Sequence, residues 1–261
     1  MSRLLSILTY NRYSSLDHLL DTVPKGYYDE VRIYDDASFQ ENGQSHYRKE
    51  PPIHIGYNYE LWNYRGATIR LNLTNVGVAG NSNLALKDWS LSDHNEIHLL
   101  NDDIEFIGVP RRIDYSECKL WLLNQTAFEA EEDHGDYIIP TQIFGGALLM
   151  TREVLDCIGY MDTKFGRFGF EHIDYTNRAM FSGLTNINGV SRRGPSLKDG
   201  ESGFRYTDVQ PSVLGDERLS LEDHSRRAMQ STDYITSGFY RACRFYPEII
   251  AGNSCRAVAS A

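Results

Sequence analysis

Ile97-His98-Leu99-Leu100-Asn101-Asp102-Asp103 is the stretch on which the fold turns. A short, mostly aliphatic run ended by turn-forming residues reads as a buried strand. The strand would deliver an amide and two carboxylates at its carboxyl end, which is where open α/β sheets bind their ligands. Upstream, Gly77 and Gly80 lead into a helix from about Asn81 to Trp89, preceded by a strand from Thr68 to Leu71. Further back, Leu4 to Leu8 and Val31 to Tyr34 read as strands. Between them lies a helix capped by Ser14 or Ser15, carrying Leu16, Leu19, Leu20 and Val23, and ended by Pro24-Lys25-Gly26. Strands alternating with helices predict an α/β fold, a mostly parallel mixed sheet flanked by helices.

Between these elements, residues 35–66 are rich in Tyr, Asn, Gly and Pro with little periodicity, which predicts a long excursion outside the core. The second half is more mixed. Leu120 to Leu123, Tyr137 to Ile143 and Ala147 to Met150 read as strands, and Arg152 to Ile158 and Glu171 to Phe181 as helices. Arg192 to Gly203 reads as a mobile loop and Leu219 to Phe245 as a helical tail. The expected organisation is a single domain over residues 1–261. Residues 1–105 and 106–215 would form its two halves, and 216–261 a helical C-terminal tail.

The chain has 261 residues with 41% hydrophobic and 24% charged, ordinary proportions for one globular core. No apolar run approaches the roughly 18 residues that span a bilayer. The N-terminus reaches polar Thr9-Tyr10-Asn11-Arg12 before any cleavage site and reads as a strand, not a signal peptide. Four cysteines, Cys118, Cys157, Cys243 and Cys255, lack metal-ligand spacing and are too sparse for a disulfide scaffold, so a reduced, cytoplasmic setting is expected. A net charge of −10 argues against a nucleic-acid partner. The sequence carries no signal for an oligomeric state.

Asn101-Asp102-Asp103 suits a hard divalent cation, because Mg²⁺ or Mn²⁺ takes one or two carboxylates and completes its shell with phosphate and water. An Asx turn or helix cap would use the same residues. Asp35-Asp36, ending the second strand, is a further acidic pair at the same sheet edge, and one such carboxylate suits a ribose hydroxyl or a base N–H. Tyr57 to Tyr64 holds four aromatic residues, which suit either an acceptor platform or packing of the excursion onto the core.

Ser6-Ile7-Leu8-Thr9-Tyr10-Asn11-Arg12, Tyr34-Asp35-Asp36-Ala37-Ser38, Asn75-Val76-Gly77-Val78-Ala79-Gly80-Asn81 and Leu99-Leu100-Asn101-Asp102-Asp103 occur in that order. Phe144-Gly145-Gly146-Ala147 and Gly169-Phe170-Glu171-His172-Ile173-Asp174 follow them. Together they resemble glycosyltransferase family 2, over roughly residues 4–182. The last block is also similar to that of the β-1,4-galactosyltransferases. The resemblance implies a GT-A fold and an inverting transfer from a nucleotide-sugar, a UDP-sugar foremost, to a glycan or other hydroxyl acceptor. It implies that Thr9, Asn11 and Arg12 border the nucleobase and ribose, that Asp35 or Asp36 binds base or ribose, and that Arg70 and Asn81 help hold the nucleotide. It makes Asp103 the metal ligand of a DxD-like motif. Asn101 stands at that motif's first position, and Asp102 is a second ligand or a donor-sugar contact.

His172 occupies the place where the related block carries an Asp proposed as general base, which leaves the base among Glu171, His172 and Asp174. On a helix Glu171 and Asp174 share a face, with His172 about 100° away. Asp174 also stands four residues before Arg178, the spacing of an intrahelical ion pair. His224 is a candidate further metal ligand, since neutral imidazole binds Mn²⁺. Arg192 and Arg193 are candidates to close over a diphosphate.

Three other readings compete. A sugar nucleotidyltransferase should show a Gly-rich phosphate loop after the first strand, where this chain has Thr9-Tyr10-Asn11-Arg12. A glycoside hydrolase would use paired carboxylates without metal or nucleotide. A non-catalytic nucleotide- or carbohydrate-binding module of the same fold would keep the pocket alone.

Overall fold

The structure is a computed structural model and describes residues 2–38, 47, 51–124, 130–140, 143, 145–165 and 171–207. In chain order its elements are β1 (Arg3–Thr9), α1 (Tyr13–Thr22), β2 (Glu30–Asp35), β3 (His54–Ile55), β4 (Tyr59–Tyr64), β5 (Ala67–Asn72), α2 (Gly77–Ser90) and β6 (Glu96–Asn101). There follow β7 (Ile104–Phe106), β8 (Leu120–Asn124), β9 (Ala130–Asp133), β10 (Tyr137–Pro140), β11 (Ala147–Thr151), α3 (Arg152–Ile158) and α4 (Glu171–Phe181). The short strands β12 (Asn186–Ile187), β13 (Val190–Ser191), β14 (Ser196–Lys198) and β15 (Phe204–Tyr206) complete the described chain.

Eleven strands form one mixed sheet in the order β3-β4-β5-β2-β1-β6-β11-β8-β14-β10-β9. The expected parallel sheet is its centre: β5, β2, β1 and β6 run parallel. Antiparallel β4 and β11 flank that centre. Side chains of β1 and β6 alternate between two cores, which is why both strands read as near-continuous apolar runs. Leu4, Leu8, Ile97 and Leu99 pack in one core with Leu86 and Trp89 of α2, Val154 of α3 and Tyr175 of α4. Leu5, Ile7 and Leu100 pack in the other with Leu16 and Leu19 of α1, Phe106 of β7 and Phe204 of β15.

Four sequence expectations need correction. Ser14 and Ser15 lie inside α1, whose N-cap is Arg12. The excursion over 35–66 includes β3 and β4, which extend the sheet antiparallel from β5. The expected loop over Arg192–Gly203 contains β14, paired with both β8 and β10 inside the large sheet. A two- or three-residue strand held by its neighbours' hydrogen bonds leaves no periodicity to read. Finally, α2 begins four residues before Asn81, at Gly77.

The expected tail over 216–261 lies outside the described residues. Among the described residues no helix is long and apolar enough to cross a membrane. Cys118 and Cys157 are free thiols, and Cys243 and Cys255 lie outside the described residues.

Candidate active site

From β1 the chain runs through α1 to β2 on one side, and α2 later carries it back to β6 on the other. A reversal of strand order opens a crevice beyond the carboxyl ends of the two strands that flank it. Register brings Thr9 beside Asp35 and Leu8 beside Asn101. The crevice is lined by Thr9, Tyr10, Arg12, Asp36, Asn75, Val78, Asn81, Asn101, Asp102 and Asp103, so the predicted acidic pairs do meet at one edge.

At its floor Asp102 is buried. Its Oδ2 accepts from the Thr9 hydroxyl at 2.6 Å and its Oδ1 from Nη1 of Arg12 at 2.7 Å. Burial pushes its carboxyl up to about 7, against the pull of Arg12 and Thr9 and with the help of the Asp103 and Asp35 charges. Both oxygens are thus held by protein, and Asp102 organises the turn. Asp103 differs. Its side chain is 27% exposed and lines the crevice, with Oδ2 3.6 Å from Nη1 of Arg12. Its carbonyl accepts from Thr207 N at 2.8 Å, so β15 braces the turn from the second half of the chain.

The second acidic pair divides its work. Asp36 accepts from the backbone N–H groups of Val76 (2.7 Å) and Gly77 (2.9 Å), which places a carboxylate at the positive end of α2. Gly77 is at φ +77, a left-handed conformation that glycine adopts without strain and that helps turn its N–H toward Asp36. Asn72 joins Asp36 (3.4 Å) to Asn81 (3.1 Å), and Asn81 donates to Tyr34 O at 2.9 Å. Asp35 is buried and accepts from Ser38 N at 2.7 Å. Burial lifts its carboxyl to about 6, against the hydrogen bonds that lower it.

Asn11 takes φ 54, tolerable for asparagine, and its N–H donates to the Ser38 hydroxyl at 2.7 Å. Asn11 is not among the crevice residues, and neither is Arg70. The Arg70 guanidinium stacks 3.9 Å from the ring centroid of Tyr59 on β4.

Two glycines stand beside the acidic turn. Gly146 O accepts from Asn101 N at 2.8 Å, so the lead into β11 lies directly against the acidic turn. A Cβ at Gly146 would stand 2.5 Å from the Tyr206 hydroxyl, and one at Gly145 would stand 2.3 Å from the His172 ring. These two positions admit Tyr206 from one side and the first turn of α4 from the other. Tyr206 donates to Leu123 O at 3.1 Å, joining the end of β8 to these glycines. It stands outside every sequence block singled out above.

On α4, Glu171, His172 and Asp174 are all buried. Glu171 Oε1 lies 3.2 Å from His172 Nδ1. Asp174 makes the expected ion pair, 2.9 Å to Nε of Arg178, with both side chains 1% exposed. Arg192 pairs with Glu132 of β9 at 2.7 Å, at the far edge of the sheet. Arg193 is exposed.

Among the described residues no three His, Cys, Asp or Glu side chains group to hold a metal by themselves. The donor set nevertheless fits Mg²⁺ or Mn²⁺: one carboxylate, Asp103, at the edge of a crevice, with the rest of the shell left to phosphate and water. His224 lies outside the described residues.

No protein-family model matches the chain, and no curated protein matches it. Among solved structures, S. aureus TarS aligns with a TM-score of 0.54 and 15% identity, over 90% of this chain. The fold is GT-A. This GT-A chain spans 40% of the length of that TarS chain. Glucosyl-3-phosphoglycerate synthase from Mycobacterium tuberculosis, solved with Mn²⁺, UDP and phosphoglyceric acid, aligns over 90% of this chain and 78% of its own, with a TM-score of 0.47 and 11% identity. A Drosophila β-1,4-galactosyltransferase 7 mutant, solved with manganese, UDP-Gal and xylobiose, covers 76% of this chain and 71% of its own, with a TM-score of 0.41 and 14% identity.

Proposed function

We propose that the chain is a metal-dependent, inverting glycosyltransferase that moves a sugar from a UDP-sugar to a hydroxyl acceptor, in glycan or polysaccharide synthesis. One observation carries the reading. At the switch point of a GT-A sheet, Asp102 is buried and held on both oxygens by Thr9 and Arg12, while its neighbour Asp103 in the same crevice is 27% exposed.

Residues 1–105 then form the donor half. Thr9, Asn11, Arg12 and Asp35 shape the nucleoside end. Asp36 and Asn81, through the hydrogen bonds that fix α2, set the crevice wall. Asp103 holds the cation, with His224 as a further ligand. When bound, the cation neutralises charge on the departing diphosphate. Residues 106–215 form the acceptor half, in which the first turn of α4 supplies the base that takes the acceptor's proton.

The test is UDP release from UDP-glucose, UDP-galactose and UDP-N-acetylglucosamine, with and without Mn²⁺, in water and with p-nitrophenyl glycosides as acceptors. Mn²⁺-dependent release is expected with at least one donor. Metal-dependent UDP binding without turnover of any donor would instead favour a binding module.

A further inference from the structure

We propose that His172 is the residue that takes the acceptor's proton and that Glu171 is its positioning residue; the inference rests on the glycosyltransferase reading above. Of the three candidates on α4, Asp174 is committed elsewhere. It is buried against Arg178, whose other nitrogens donate to Ile158 O at 2.7 Å and Tyr160 O at 2.8 Å, so the pair closes α4 onto the end of α3.

Glu171 and His172 face each other, Oε1 to Nδ1, at 3.2 Å. A carboxylate only accepts, so this contact places the ring hydrogen on Nδ1 and leaves the lone pair on Nε2. Among the described residues Nε2 has no hydrogen-bond partner. Glu171 Oε2 is buried with no partner among the described residues either, an acceptor position that a substrate hydroxyl or an ordered water would fill.

The ring's location follows from Gly145. A Cβ there would stand 2.3 Å from both Cγ and Nδ1 of His172, so only glycine leaves room for the imidazole. The next residue, Gly146, accepts the Asn101 N–H at the acidic turn. Imidazole and metal turn therefore flank one dipeptide. In the step proposed, Nε2 takes the proton from the acceptor hydroxyl as its oxygen bonds to the anomeric carbon. The bond from that carbon to the diphosphate breaks, and its electron pair leaves with the diphosphate. The imidazolium then returns its proton to solvent.

The experiment uses the full chain and the donor and acceptor set named above. Wild-type turnover tests the parent reading, and the variants test the dyad. His172→Gln should lower kcat on the order of 10²–10⁴-fold while Mn²⁺-dependent UDP affinity stays within about twofold. His172→Ala should regain rate with added imidazole. Glu171→Gln should lower kcat with little change in KM, because it loosens the ring without touching the donor site. Absence of wild-type turnover would remove the transferase reading and this one with it. With an active wild type, an unchanged kcat in His172→Gln, or no imidazole rescue of His172→Ala, overturns the dyad alone.

Discussion

The Thr9 hydroxyl donates to Oδ2 of Asp102 across 2.6 Å, although 93 residues separate them. The bond closes the ends of β1 and β6 onto each other at the point where strand order reverses. It also accounts for how two adjacent carboxylates differ: the one held by Thr9 and Arg12 is buried, and the next is partly exposed.

Asp103→Ala should abolish metal-dependent stabilisation by UDP. For the wild type, UDP with Mn²⁺ at about a hundredfold over Kd gives about 2.7 kcal/mol, or roughly 5–10 °C in Tm for a chain of this size. The variant's Tm without ligand should stay within a few degrees of wild type, since the side chain is partly exposed. Thermal shift with and without Mn²⁺ checks this, and an undiminished shift would take the ligand role from Asp103.

Asp36→Ala removes the acceptor of two backbone N–H groups at the start of α2. The loss of a charged cap should cost roughly 1–3 kcal/mol in urea unfolding. Asp36→Asn, which keeps one acceptor oxygen, should cost less. Equal stability of Asp36→Ala and wild type would mean that α2 does not depend on this carboxylate.

Asp174→Ala leaves Arg178 buried without its charge partner, a change of roughly 3–5 kcal/mol. Its kcat, measured on folded protein at low temperature, should stay near wild type, because the carboxylate serves packing. A collapse of kcat with stability intact would return Asp174 to the candidates for base.

A buried cluster remote from the crevice predicts a pH dependence of stability. His98 is fully buried. Nδ1 meets the Tyr28 hydroxyl at 2.7 Å and Nε2 meets Glu96 at 2.8 Å, with Arg3 and Tyr115 on the same Glu96. Burial lowers its pKa, against the opposing pull of Glu96. The unfolded chain therefore binds more protons, and stability present above about pH 6.5 is lost as pH falls through the folded-state value. Urea midpoints from pH 8 to 5 should decline in wild type and decline less in His98→Gln. Parallel curves would show that another group governs the slope.

Several elements were legible because their information is local. The run Ile97 to Leu100 reads as a doubly buried strand from composition alone, and the Asp174–Arg178 pair follows from spacing on one helix. β14 was not legible: Ser196–Lys198 is a strand only because β8 and β10 supply its hydrogen bonds from distant sequence. Nor was the reach of Arg192, whose side chain goes to Glu132 on a strand 60 residues away.

The sequence by itself determined that two acidic pairs end two parallel strands and that the chain alternates β and α around them, since periodicity and turn chemistry are properties of neighbouring residues. Only the tertiary structure decided how the carboxylates divide the work. Asp36 is committed to the α2 backbone, Asp102 to Thr9 and Arg12, and Asp174 to Arg178, while Asp103 keeps the more exposed side chain and Glu171 meets His172. Each commitment depends on which partner the fold brings within hydrogen-bond distance and how much water it removes, and neither is written in residue order.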